Sequence, residues 1–517
     1  MSTVPTAAPT AAPPAVQYGS PGGARAVLAL ARFETRRLLL SVPVVLAFAA
    51  YVAWIVWRTR SSWDGYPVLQ DADRATQGGP LLVGLAVLLS ANSAALRSVR
   101  HGTADQFAIL VVAPWRRTAA HALSVVPAAA LTAVCVAGQF AWEAAKPGAV
   151  GSGSPAELLT GPLTVLLLGA LGVLLAGVVR SALAAPLLVV CLLFTLVLGT
   201  VPGSTGGLSW LSPVVIANNT APLPSDLLGR PAAWHALYLA GAALCAGFLA
   251  VLAAGGRGRS ARAGVAVRAG AALSLALAVT GGVLQARGVD PSPELTAARE
   301  RASVSPEKEQ TCVERGRSAY CAFPEWEPRT ADWAGVVDRV QSLAGGTAHE
   351  RRLLVRQRID ARYGLEADAA IPPLSAPHQV TVGTAWGGNR VPEFSTAVAA
   401  VLVTGSEAAA GTVCDGRMVT LMWLSLSWQD DPMGALRRVR LDDSVEGSAV
   451  VLSPTDPLTM TEGQTDVVRR LLEEPRPGVA ERVKAHWAEL TAPGVTTAEA
   501  AGLLGVAGPG KADSCEE

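Results

Sequence analysis

Residues 158–201 read LLTGPLTVLLLGALGVLLAGVVRSALAAPLLVVCLLFTLVLGTV, with Arg180 as the one charged side chain. A helix rises 1.5 Å per residue, so about 20 apolar residues cross the roughly 30 Å of a bilayer's hydrocarbon core. The two halves, Leu158–Val179 and Ala182–Val201, therefore read as a tight pair of membrane-crossing helices. Five similar windows flank them: Leu38–Trp57, Gly79–Leu96, Ala119–Trp142, Trp234–Ala254 and Gly264–Leu284. Seven such windows in succession exceed what a soluble core uses. The sequence thus predicts an all-α polytopic membrane domain of about seven transmembrane helices.

Composition agrees. Half of the 517 residues are apolar and 16% are charged, against about a quarter in soluble chains. Disorder is excluded as the main state. A formal net charge of +1 gives no field for nucleic acid. Abundant Ala and Gly, with Arg far in excess of Lys, have the look of a GC-rich bacterial genome.

Short loops rich in Lys and Arg stay in the cytoplasm. With the N-terminus inside, Arg25, Arg32, Arg36, Arg37, Arg97, Arg100, Arg116, Arg117, Arg180, Arg257, Arg259 and Arg262 are cytoplasmic, against Arg58, Arg60, Arg74, Lys146 and Arg230 outside. Seven crossings then place everything after Arg287 outside the cell membrane. Cysteines bear on this independently. Cys135, Cys191 and Cys245 fall in membrane windows, whereas Cys312, Cys321, Cys414 and Cys515 fall in the outer region. Four cysteines there allow three pairings in an oxidising compartment. Cys312–Cys321, across a short hairpin, is favoured, with Cys414–Cys515 by elimination; the alternative is four free thiols in a cytoplasmic domain. Thr35-Arg36-Arg37-Leu38 loosely resembles a twin-arginine signal, but the apolar run continues unbroken to Trp57, which reads as a retained first span.

Four regions follow. Residues 1–23, rich in Pro, Ala and Thr and uncharged, read as a disordered tail. Residues 24–37 read as a cytoplasmic interface helix with Arg25, Arg32 and Arg36 along one stripe and Glu34 opposite; the plain alternative is topology-setting charge. Residues 38–286 form the membrane domain, and residues 290–517 an extracytoplasmic, mainly helical domain with minor β. Within the membrane domain, the loop 97–118 predicts a short amphipathic helix carrying Asp105 and Phe107 and ended by Pro114, a docking surface for a soluble partner. Leu208–Ala217 is apolar but too short to span, and reads as a re-entrant piece. In the outer domain, helices are expected over Ala331–Ala344, Arg351–Tyr363, Glu393–Val403, Met418–Trp428, Thr461–Glu473, Gly478–Leu490 and Thr496–Leu504, with a strand in His378–Trp386. Thr461 with Gln464, and Thr496 with Glu499, form capping boxes.

Three stretches together resemble the membrane subunit of an ABC transporter of the type-2 exporter-like permease family. They are Arg32-Phe33-Glu34-Thr35-Arg36-Arg37, then Arg100-His101-Gly102-Thr103-Ala104-Asp105-Gln106-Phe107 with Ala113-Pro114-Trp115-Arg116-Arg117, and Leu211-Ser212-Pro213 running into Trp234-His235-Ala236-Leu237-Tyr238. The resemblance covers about residues 24–255. It departs in His101, where the family carries an acidic residue before Gly-Thr, and in a seventh span and outer domain after the usual six. It implies a permease working with a separate ATP-binding subunit, as a homodimer or pseudo-dimer of permease chains among membrane lipids. Arg97, Arg100, Gly102, Thr103, Asp105, Phe107, Pro114, Arg116 and Arg117 would couple to the ATPase, supported by Arg32, Glu34, Arg36 and Arg37.

Catalysis, metal and cofactor are not expected in this chain. Gly505-Val506-Ala507-Gly508-Pro509-Gly510-Lys511-Ala512 has phosphate-loop glycines and Lys, but Ala512 replaces the Mg²⁺-binding hydroxyl. His349-Glu350 lacks the second zinc-binding His, since Leu353 stands there. Asp430-Asp431 and Asp442-Asp443 are adjacent and diverge. The spans hold few polar groups, which points an exporter toward amphipathic or lipid-like cargo. A membrane-anchored extracytoplasmic sensor or binding protein without transport is the alternative reading.

Overall fold

The computed structural model describes residues 23–61, 65–103, 112–199, 211–214, 222–255, 261–287, 292–362, 371–439, 449–452, 455 and 457–509. Helices dominate it, in two apolar assemblies stacked end to end.

The first assembly is the membrane bundle. It comprises α1 (Gly23–Leu39), α2 (Val42–Ser61), α3 (Leu69–Ala75), α4 (Gly78–Ala95), α5 (Pro114–Leu123), α6 (Val126–Ala144), α7 (Pro155–Val178), α8 (Ala184–Gly199), α9 (Ala232–Ala253) and α10 (Ala261–Arg287). Six stretches are long and apolar enough to cross a membrane: Val42–Thr59, Leu69–Ala95, Pro114–Ala144, Pro155–Val178, Ala232–Ala253 and Gly264–Arg287. Of the seventh expected span, Ala182–Val201, the described residues form a turn at Ala182 and Leu183 and then α8, from Ala184 to Gly199. The chain returns along the bundle between α7 and Leu223. α7 begins beside the second assembly and ends at Val178, and the chain is back at that assembly by Leu223.

Lipid offers no hydrophobic drive between helices, so small residues set the packing. A Cβ on Gly172 of α7 would lie 2.4 Å from the Leu88 carbonyl oxygen of α4, and one on Gly241 of α9 would lie 2.4 Å from the Ala278 nitrogen of α10. Asn92 of α4 donates to the Gly172 carbonyl at 3.1 Å. Leu211–Val214 lies against the spans: Thr164 of α7 donates to the Pro213 carbonyl at 3.0 Å and Tyr238 of α9 to the Leu211 carbonyl at 3.0 Å. Thr164 stands about 14 Å along its helix from Pro155, so these four residues are tied to the spans by side-chain donors; the rest of the expected re-entrant piece Leu208–Ala217 lies outside the described residues.

The second assembly begins at α11 (Pro293–Val304), capped by Ser292, whose hydroxyl accepts from the Leu295 nitrogen at 3.1 Å. A four-stranded sheet runs in the order β1 (Thr311–Arg315), β2 (Ser318–Ala322), β3 (Leu354–Gln357), β4 (Gln379–Val382). β1 and β2 form an antiparallel hairpin in which Cys312 faces Cys321, and these two are disulfide-bonded. β2, β3 and β4 run parallel. The crossover from β2 to β3 is α12 (Thr330–Leu343), which buries Trp333, Val336, Val337 and Val340 as its apolar stripe requires. The expected helix Arg351–Tyr363 is therefore corrected: this segment contains strand β3. Val355 and Gln357 are buried in alternation, and pairing with β2 and β4 overrides local preference. α13 (Arg390–Thr404) and α14 (Arg417–Leu426) pack on the sheet's helix and bury Phe394, Met418 and Trp423. Both capping boxes close on the C-terminal helices Glu462–Glu473 and Thr497–Leu503.

The two assemblies are continuous. Val68, Val150, Leu223, Leu227 and Leu228, from the three connectors at one end of the bundle, belong to the soluble domain's own apolar core.

Trp423 is fully buried in α14. Trp423→Ala is expected to destabilise the soluble domain by about 3–5 kcal/mol, read as lower denaturant resistance of the intact chain in detergent. An unchanged unfolding midpoint would remove α14 from the core.

Candidate functional site

At the end of the bundle away from the soluble domain, one carboxylate gathers three elements. Glu34 is buried on the inner face of α1, between Ala31 and Leu38. Arg97, in the single turn Arg97–Arg100 that follows α4, donates to it at 3.4 and 3.5 Å. His121 of α5 places Nδ1 3.9 Å from the same carboxylate. Thr35 of α1 donates to the Ser124 carbonyl just past α5, at 3.4 Å. A carboxylate taken from water keeps its charge only with such partners, so Glu34 fixes α1 against α4 and α5.

Around this anchor the face is basic. Arg32, Arg36 and Arg37 are exposed on α1, and Arg37 lies over the Phe33 ring at 5.6 Å. Arg100 and His101 are exposed. Gly102 has φ +63°, a left-handed turn suited to glycine. Thr103 then folds back, its nitrogen donating to the Ser98 carbonyl at 2.9 Å. Arg116 lies over the Trp115 ring at 5.2 Å, and Arg117 is half-buried in the same helix. A groove of about 690 Å³ opens here, lined by Glu34, Arg37, Ser93, Arg97, Arg100 and His101 among others. It is shaped and charged to take a polar or acidic surface element of another molecule.

Pro114 is the first residue of α5, where its fixed φ and missing N–H suit the position. The expected helix over Asp105 and Phe107 lies outside the described residues. Cys414 is disulfide-bonded; its expected partner Cys515 also lies outside them.

The opposite end carries a polar cluster that the sequence windows excluded, because each window was started just past its charges. Gln70, Asp73 and Gln77 lie along one face of α3 and its extension into α4, and all are buried. Arg230, ahead of α9, sits 3.8 Å from Asp73 and 3.6 Å from Asp71, and donates to the Gln70 carbonyl at 2.9 Å. Asp73 also accepts from the Ser154 nitrogen at 2.8 Å, and Gln77 donates to Glu157 at the start of α7. The signal in the sequence was Asp73 six residues before one apolar run, Glu157 one residue before another and Arg230 four before a third.

The soluble domain grips this cluster. Gln70 donates to Glu325 at 3.2 Å and to the Leu223 carbonyl at 2.8 Å. Glu325 also accepts from the Ser225 nitrogen at 3.0 Å. Arg329, fully buried, donates to the Thr384 carbonyl of its own domain at 3.1 Å and to the Pro67 and Gly148 carbonyls of two connectors at 3.2 and 3.3 Å. Arg299 of α11 binds the third connector through the Leu227 and Leu228 carbonyls at 2.9 and 2.8 Å.

Comparison with family models, with curated proteins and with solved structures found no match for this chain.

Asp73→Ala leaves Arg230 buried against a weaker set of partners and is expected to cost about 3–5 kcal/mol. Adding Arg230→Leu is expected to restore part of the loss, as for directly coupled residues. Thermal unfolding of the four proteins of this cycle in detergent checks it; strictly additive losses would dissolve the pair.

Proposed function

We propose that this chain is the membrane-spanning permease subunit of an ATP-driven ABC-type transporter, an exporter of amphipathic cargo, working with a separate ATP-binding subunit and as a pair of permease chains. The observation that carries the reading is the convergence of α1, the turn after α4, and α5 on Glu34, beside the basic groove. A soluble partner seated there would press on three elements at once. α4 runs from that turn to the Gln77–Glu157 bond at the other end, a rod of about 27 Å. Movement at the groove would reach the far mouth along a stiff helix, as two-state transport requires.

The arginine bias supports a cytoplasmic groove and hence an extracytoplasmic soluble domain. A disulfide within that domain supports the same side. The chain itself then hydrolyses nothing, and ATP chemistry belongs to the partner.

The test pairs the tagged chain with each ATP-binding protein encoded beside its gene. The chain alone is expected to show no ATPase activity, and the pair to co-purify with activity. Replacing Gly102–Phe107 with a Gly/Ser linker is expected to abolish co-purification, and Glu34→Ala to lower coupled turnover about tenfold, the equivalent of roughly 1.4 kcal/mol. A pair that survives the linker overturns the assigned contact; a chain that binds a signalling protein and no ATPase favours an anchored sensor instead.

Topology is checked separately. In intact cells an impermeant maleimide is expected to label Cys312 and Cys321 only after reduction. Labelling without reduction, or only after lysis, overturns the outside placement.

A further inference from the structure

Four exposed tryptophans mark one level of the bundle. Trp54 and Trp57 stand at the domain end of α2, Trp142 at the domain end of α6, and Trp234 at the domain end of α9. Tryptophans so placed anchor at the headgroup level of a bilayer. A cavity of about 270 Å³ opens beside them, between the ends of α2, α3 and α6 and the soluble domain. Its lining includes Arg58, next to Trp57, and Glu143, next to Trp142; further in lie Asp71 and Gln139, and Tyr66 and Trp386 stand on the soluble-domain side. It therefore adjoins the level of lipid headgroups.

Its chemistry is two-ended. Arg58 is exposed and makes no ion pair among the described residues. Its guanidinium suits a phosphate, which it can hold through two parallel hydrogen bonds. The rest of the wall offers acceptors. Gln139 is 6% exposed, and its Oε1 is buried without a hydrogen-bond partner. The ion pairs of Asp71 run through Oδ1, and that of Glu143 through Oε2; the second oxygen of each carboxylate carries no hydrogen bond among the described residues. Tyr66 and Trp386 complete the wall with aromatic surface. A buried amide oxygen left unsatisfied is costly, and a group with several N–H donors resolves it. The volume is below the roughly 300–1,000 Å³ that encloses a drug-sized ligand. It suits a headgroup whose acyl chains remain in the bilayer.

We propose that this cavity binds a phospholipid headgroup bearing a primary ammonium, with the phosphate on Arg58 and the ammonium on Gln139, Glu143 and Asp71. The site holds whether the lipid is cargo or a fixed component, so it does not rest on the transporter reading.

The full chain is reconstituted in nanodiscs of equal phosphatidylethanolamine, phosphatidylcholine and phosphatidylglycerol, released into mild detergent, and its retained lipid counted by native mass spectrometry. Phosphatidylethanolamine is expected to be retained about tenfold over the other two, the weight of one charge-assisted hydrogen bond. Phosphatidylcholine has no N–H for Gln139, and phosphatidylglycerol has no ammonium. Arg58→Gln and Gln139→Leu are each expected to reduce that retention about tenfold at an unchanged unfolding temperature, and Arg58→Lys, which keeps the charge but loses the paired hydrogen bonds, to reduce it less. Ala72→Leu, which fills the cavity without altering charge, is expected to lower it too. Equal retention of the three lipids by the wild-type chain overturns the proposal without any variant. So does retention that survives both Arg58→Gln and Gln139→Leu. Free O-phosphoethanolamine binding as tightly as the lipid, in nanodiscs of phosphatidylcholine alone, would overturn the lipid as the source.

Discussion

A charge or a backbone carbonyl removed from water needs a partner, and at the domain end of this bundle the partners come from another part of the chain. Arg329 supplies donors to two connectors, Arg299 to the third, and Glu325 accepts from Gln70 and from the Ser225 nitrogen. The connectors return the favour by giving Val68, Val150, Leu223, Leu227 and Leu228 to the soluble core. Pulling the domain away would expose that apolar surface and orphan several buried polar groups together. The soluble domain is thus part of the mouth of the bundle, and the positions of α4, α7 and α9 at that end depend on it.

The other end obeys the same rule with fewer groups. Glu34 joins α1, the turn after α4, and α5, through Arg97 and His121, with Thr35 bonded to the Ser124 carbonyl beside it. Such a joint moves more readily than the opposite end, since fewer buried contacts must break. Between the two ends the helices approach closely at Gly172 and Gly241. Packing that tight transmits a rigid shift better than it absorbs one. A permease of the proposed kind would use this arrangement, an anchored domain end, a closely packed middle and a basic face held around Glu34.

Much of the helical layout was legible in the sequence. Apolar windows report a local quantity, and six of the seven became helices long enough to cross a membrane. The seventh, Ala182–Val201, holds α8 from Ala184 to Gly199 after a turn at Ala182 and Leu183, which is as apolar as the helix it precedes. Capping boxes at Thr461 and Thr496 depend on residues three apart, and both closed. The hairpin Cys312–Cys321 is likewise local. Pro114 opens α5, a position that proline's fixed φ and missing N–H favour.

The amino-acid sequence alone therefore settled which segments are apolar, where short-range caps and the hairpin close, and which loops carry the arginines. Tertiary structure decided the rest. β3 is a strand because β2 and β4 flank it, although nothing in Leu354–Gln357 demands one. Gln70 meets Glu325 across 255 residues of chain, and Arg329 meets Pro67 across 262. Pattern and spacing describe neighbours along a chain, whereas the pairing of buried charges is fixed by which distant segments the fold sets side by side.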